Sequence, residues 1–204
     1  MKEYLILQIN GGYFMKKALV FLLIAAGNFV YAQENKKVIP INLSYFGETI
    51  THPGFELGYE NTFHKGFNFT VSIGTYVHQR NHVGLFINSG LNWRYTFPIG
   101  YSPEIGIGLG YLHTWAHGGS TYTVDDNGNV STKPKHGRPH FMPSIKLGFF
   151  GWDFREKTNI PIRLNTDIII FGQYPFNNYI LPHVALKAGG TYYFELEQNE
   201  NKEH

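Results

Sequence analysis

Seven ionisable residues of this chain, Glu56, Glu60, Arg94, Lys146, Arg163, Asp167 and Lys187, fall in segments whose alternate positions are apolar. Charge in that setting admits three uses: an ion-paired structural network, a narrow path for ions, or a catalytic pair. Glu56 and Glu60 are four residues apart, which on one extended strand separates them by roughly 13 Å. Hydrolytic carboxylate pairs work at about 5 to 9.5 Å, so the spacing favours the structural network. Histidine is the second feature. The chain has 10, and eight of them (His52, His78, His82, His113, His117, His136, His140 and His183) lie on or beside connections between the alternating segments. Neutral imidazole suits zinc, copper and nickel, which makes His113, His117, His136 and His140 candidate metal ligands if the fold brings them together. On a straight strand His113 and His117 lie ~13 Å apart, and the alternative is that these histidines serve as amphipathic residues at an interface.

Other chemistries are excluded by what is missing. With no cysteine in 204 residues there is no thiol nucleophile, disulfide framework or Cys-ligated metal. Gly106-x-Gly108-x-Gly110 spells a glycine-rich loop, but it lies inside an alternating segment with no helix after it and is no nucleotide site. Asn68-Phe69-Thr70 is a glycosylation sequon in spelling only. No cofactor is expected.

The elements that must position these residues read as strands. Charged residues make up 16% of the chain and aromatics 17%, against ~25% charged in ordinary soluble domains. From Val38 onward the pattern has period two, as in Phe67, Phe69, Val71 and Ile73 against Asn68, Thr70, Ser72 and Gly74. Eight such segments follow one another, with apolar faces rich in Ile, Leu, Val and Phe at mid-strand and in Tyr, Trp and Phe near the ends. Gly106, Gly108 and Gly110 place the small residues on the crowded face, as a narrow closed interior requires. Flanking aromatics match the interfacial girdles of a membrane barrel, and a sheet in lipid must close because an open edge leaves backbone groups unpaired. The expected fold is all-β, an eight-stranded antiparallel up-and-down transmembrane β-barrel. Around Gly151, the run Phe149, Phe150 and Trp152 breaks parity, and a β-bulge or an inward aromatic both satisfy it.

The domain plan has three parts. Residues 1–32 form an upstream extension and a signal peptide: Lys16 and Lys17 precede the apolar run Ala18 to Val30, and Val30-Tyr31-Ala32 provides the cleavage signal. The run is shorter than the ~20 residues of a spanning helix, and translation is expected to begin at Met15. Residues 33–196 form the barrel, and 197–204 a polar periplasmic tail. Without residues 1–32 the chain carries 14 basic and 14 acidic residues, which excludes nucleic acid as an expected partner. Short connections at 63–66, 97–102 and 155–159 are expected in the periplasm with both termini, and those at 48–53, 79–81, 118–139 and 173–182 outside. Asp126-Asn127-Gly128 predicts a hairpin within the longest loop, pairing 121–124 with 130–132.

The signal peptide, the eight segments and the last strand Ala188-Gly189-Gly190-Thr191-Tyr192-Tyr193-Phe194 resemble the small eight-stranded outer-membrane β-barrel proteins of Gram-negative bacteria. The resemblance implies that the final aromatic strand is read by the outer-membrane insertion machinery, although here ten residues follow it. It also implies a bacterial outer-membrane location at the cell surface and contact with membrane lipid. Members of this group include adhesins, anchors and lipid A modifying enzymes, so fold does not select a function. Lipid A deacylation in the group uses a His, a Ser and an acidic residue; His113 or His140 with Ser120 or Ser144 are the candidates here, without a His-x-Ser motif. The favoured expectation is a non-enzymatic integral barrel with a plugged, salt-bridged lumen, an accessory or interaction subunit that contacts other outer-membrane proteins. The alternative is a ligand-active barrel, by His-based metal or haem capture or by lipid A modification.

Overall fold

A chain that alternates apolar and polar residues over eight segments has two faces to satisfy, and closing the sheet on itself separates them completely. The computed structural model describes residues 38–79, 81–117, 121–124, 127–133, 137–176 and 179–195. The expected signal segment 1–32, the tail 197–204, His136 and Ser120 lie outside the described residues. The strands are β1 (Val38–Glu48), β2 (Gly54–His64), β3 (Phe67–His78), β4 (His82–Arg94), β5 (Glu104–Ala116), β6 (Thr121–Val124), β7 (Val130–Lys133), β8 (Arg138–Asp153), β9 (Ile162–Phe176) and β10 (Tyr179–Glu195), with one helical turn, α1 (Arg155–Thr158), between β8 and β9. Eight of them form a closed antiparallel barrel in the order β1-β10-β9-β8-β5-β4-β3-β2. The seam between first and last strands is continuous from Val38↔Glu195 to Glu48↔Ala185. β6 and β7 pair separately as a hairpin, Thr121↔Lys133 to Val124↔Val130, at the end of the barrel called here the ribbon end; the opposite, terminal end holds Val38 and Glu195.

Burial follows the parity of the sequence. On the outer wall Ile107 is 65% exposed and Leu43 62%, whereas inward Phe46 and Phe86 are each 1% exposed. Exposed aromatics gather at both ends of the wall: Phe67, Trp93, Tyr192 and Phe194 at the terminal end, Tyr45, Phe55, Trp115 and Tyr174 at the ribbon end. A continuous apolar belt of this extent is stable in lipid and not in water. The barrel strands run from 11 residues in β1 to 17 in β10, enough for the ~9 to 11 needed to cross a bilayer.

Three details refine the sequence reading. The connection expected over 173–182 is mostly strand, since Leu181 pairs with Gln173 and Tyr179 with Phe176. The parity break near Gly151 is a bulge: pairing shifts between Gly148↔Asp167 and Phe150↔Thr166, so Phe149 and Phe150 both face outward and Asp153 returns inward. The third concerns β5, which starts at Glu104, one residue before the alternating run begins at Ile105, and so adds an inward carboxylate.

Inside, the ribbon half of the lumen is filled by Phe46, Tyr76, Phe86, Leu112, Met142, Ile169, Phe171 and Ala185. The Phe46 ring centroid lies 4.7 Å from that of Phe86 and 6.1 Å from those of Tyr76 and Phe171. Two glycines make this packing possible. Gly74 is paired with Phe86 and Gly84 with Tyr76 across β3 and β4, and a Cβ on either glycine would run into the ring of its partner. We expect Gly74→Val and Gly84→Val each to destabilise the barrel by about 1 to 3 kcal/mol, the usual cost of overpacking. Urea unfolding in detergent micelles followed by tryptophan fluorescence measures this, and an unchanged midpoint would contradict the plug.

Candidate functional site

The lumen is a stack of layers, because each strand contributes one inward residue per two positions and antiparallel register aligns them. Toward the terminal end lies an ionic layer. Arg94 on β4 donates from Nη1 and Nη2 to the two carboxylate oxygens of Glu60 at 2.7 and 2.6 Å, and from Nε to Glu104 Oε2 at 2.8 Å. Arg163 on β9 donates to Glu60 Oε2 at 3.0 Å and reaches Glu104 Oε2 at 3.4 Å. Lys146 on β8 donates to the other oxygen of Glu104. Forked guanidinium contacts of this type are the strongest that a carboxylate can accept. Below this layer, Asp153 accepts from Arg155, whose guanidinium lies 3.5 Å over the Tyr193 ring.

Above it, Lys187 donates to Glu56 at 2.6 Å, while Asp167, its in-register partner, accepts from Asn165 at 2.8 Å. Asn42, Ser72, Asn88 and Ser144 join these in lining a polar cavity of about 50 Å³, room for a few waters. The apolar plug closes it from the ribbon end.

All seven charged residues picked out in the sequence therefore face the lumen: Glu60, Arg94, Lys146 and Arg163 form the ionic layer, of which Glu60, Lys146 and Arg163 also border the cavity, and Glu56, Asp167 and Lys187 line the cavity above it. Glu56 and Glu60 bind different cations, so they form no carboxylate pair. The residue that sequence reading missed is Glu104, which accepts from three cations. Its signal was present, since it shares the parity of Gly106 and Gly108 and stands opposite Arg94 in the β4–β5 register. With it, the ionic layer and the cavity together hold four carboxylates against four cations.

Of the four histidines expected as metal ligands, the three that are described, His113, His117 and His140, do not converge. His113 lies on the outer wall, its Nδ1 2.8 Å from the Tyr111 hydroxyl and its ring 4.3 Å from that of Trp115. His140, one register position away opposite Leu112, faces inward and is buried. Adjacent positions on a strand point to opposite faces, which is why the two diverge. His117 is exposed beyond β5, its backbone N–H donating to Asn81 O at 2.6 Å. Ser144, proposed with His140 for hydrolysis, sits four residues along the same strand with inward Met142 between them.

What the ribbon end does bring together is a cluster centred on Glu48. Its Oε2 contacts His52 Nδ1 and lies 4.0 Å from His78 Nδ1, while its Oε1 lies 2.7 Å from His183 Nδ1. The rings of His52 and His78 stack at 3.6 Å. His183 stacks at 4.8 Å on Phe171 of the plug. His52, His78 and His183 belong to three different connections or strand ends, and only the β1–β10 and β3–β2–β1 pairings of a closed barrel unite them.

No protein-family model matches the chain, and no curated protein matches its sequence. Among solved structures the chain is similar to the N-terminal β-barrel domain of Pseudomonas aeruginosa OprF (13% identity, 78% of this chain and 100% of that one, TM-score 0.55) and to Neisserial surface protein A (10% identity, 79% and 100%, TM-score 0.56). The chain thus has the fold of the small eight-stranded outer-membrane barrels.

Removing Glu104 takes from Arg94, Arg163 and Lys146 an acceptor that all three share, and breaking a buried ion pair in this way costs about 3 to 5 kcal/mol. Glu104→Ala should therefore lower the urea midpoint far more than Glu56→Ala, which leaves Lys187 beside Asp167. Equal losses would show that the ionic layer does not act as one unit.

Proposed function

We propose that this chain is an integral outer-membrane barrel with no catalytic activity and no conducting pore, which serves as an accessory or interaction subunit of an outer-membrane assembly. The ribbon end faces the exterior and both ends of the chain lie in the periplasm. The observation that carries the reading is the double closure of the lumen, by the ionic layer around Glu104 and by the plug around Phe46. A lumen closed twice leaves the outer wall and the ribbon-end connections as the working surfaces. The orientation follows from the usual asymmetry of such barrels, short turns inside and longer loops outside: Lys65 and Gly66 alone join β2 to β3, whereas the chain between β5 and β8 carries a hairpin.

A contact surface is available on the wall. Ala188 and Gly190 face outward on β10, beside Tyr45 and Leu43 across the seam, and form a flat strip amid larger side chains. Small residues let a second wall approach closely, as they do between membrane helices.

Two experiments test this reading. In planar bilayers the purified barrel should give no discrete conductance steps, and stable channels would overturn the closed lumen. Extraction of native outer membranes in mild detergent should recover the barrel with a protein partner in fixed stoichiometry, weakened by Ala188→Phe. Recovery of the barrel alone under all extraction conditions would overturn the accessory role.

A further inference from the structure

We propose that Glu48, His52 and His78 form a binding site for a divalent transition-metal ion of the Zn²⁺ type at the ribbon-end mouth of the barrel. One carboxylate and two imidazoles present one ligand atom each, and those atoms all lie within 4.8 Å of one another. A zinc ion bound at ~2.0 to 2.2 Å from each ligand draws them together by small side-chain movements, without any change of strand register. The donor set selects the class of ion: two imidazole nitrogens and one carboxylate oxygen suit zinc, nickel or copper, whereas calcium and magnesium prefer all-oxygen shells.

The backbone is built to hold this arrangement. Glu48 and His52 exchange two backbone hydrogen bonds, Glu48 N–H to His52 O at 3.1 Å and His52 N–H to Glu48 O at 3.0 Å. The turn between them is tight enough to force Thr49 to φ 45° and Ile50 to φ 68°. Left-handed backbone is costly for a β-branched residue, and such strain concentrates at functional sites. Its effect here is to fold His52 back over Glu48, where its ring stacks on that of His78.

The carboxylate is also aimed from behind. The Pro175 carbonyl can only accept, so His140 Nδ1, 2.9 Å away, donates to it and His140 Nε2 must accept. Gln173 Nε2 then donates to His140 Nε2 at 2.9 Å, which turns Gln173 Oε1 toward His183 Nε2 at 3.1 Å. His183 Nδ1 in turn lies 2.7 Å from Glu48 Oε1, a carboxylate oxygen that accepts from it. One oxygen of Glu48 is thereby occupied, and the other, Oε2, points at His52 and His78. Outer-shell hydrogen bonds that orient a ligating carboxylate in this way are a recurrent feature of metal sites.

Access is from the mouth. The His52 and His78 side chains are 17% and 30% exposed, against 2% for Glu48, so an ion reaches the imidazoles from bulk water while the carboxylate stays held below. Binding does not depend on the accessory role proposed above; only the source of the ion, the cell exterior, rests on that orientation.

The test is calorimetric titration of the untagged, refolded full chain in detergent with ZnCl₂, and with MgCl₂ as the control. One Zn²⁺ per barrel and no Mg²⁺ binding are expected. His52→Ala and His78→Ala should each weaken Zn²⁺ binding at least 100-fold, and Gln173→Leu, which releases the orienting chain, by about 10- to 100-fold. Heat-modifiable migration on gels confirms that each variant is folded, and His52→Ala, at the solvent-facing rim, keeps the test open if the buried Gln173 variant fails to fold. Zn²⁺ binding unchanged in His52→Ala, or lost instead in a His113→Ala/His117→Ala variant, would overturn the site, as would the absence of Zn²⁺ binding by the unmodified chain.

Discussion

Two carboxylates, Glu60 and Glu104, hold Arg94, Arg163 and Lys146 between them across the lumen, and the remainder of the barrel is arranged around that shared charge. Lipid forces the sheet to close because its backbone groups have no water to turn to. Closure at eight strands leaves an interior barely wider than its own side chains. Ions placed there find partners on the neighbouring strand, as Arg94 does in Glu104, and across the lumen, as Arg163 does in Glu60. The five residues come from five strands, so their contacts tie together positions as far apart in sequence as Glu60 and Arg163. They also select one register, since a shift of one residue would put charge into the membrane.

The layers above follow from the same confinement. Glycines at 74 and 84 give up their side chains so that Phe86 and Tyr76 can lie across the lumen. Between that plug and the ionic layer, Glu56, Asp167 and Lys187 line a small polar cavity. Beyond the plug the strands leave the apolar belt, and Glu48 with its histidines occupies the ribbon-end mouth. The ionic layer, the plug and the Glu48 cluster are thus separated along the barrel axis.

Much of this was legible in the sequence because period two carries through closure unchanged. Ile107 and Gly108 already announce which face meets lipid, and Arg94, Arg163 and Glu60 announce that the other face is charged. What could not be read was anything that depends on register between strands distant in sequence. Glu104 was passed over because the apolar alternation begins one residue later, at Ile105. The bulge at Gly148 and Phe150 needed the pairing with β9 to distinguish it from an inward aromatic. Among the histidines, proximity in sequence misled: His113 and His140 are neighbours in the β5–β8 ladder yet lie on opposite faces, whereas His52, His78 and His183 converge only because β10 closes on β1.

The measurement that tests the closed, charge-paired lumen most directly is nuclear magnetic resonance of the arginine side chains in lipid nanodiscs. Guanidinium groups locked in two-carboxylate forks rotate slowly and are shielded from exchange with water. Arg94 and Arg163 should give resolved, slowly exchanging Nη–H signals, which collapse when Glu104 is replaced by alanine. Rapidly exchanging, averaged guanidinium signals for both arginines in the unmodified protein would contradict that closed lumen, and would describe a lumen that is open and wet.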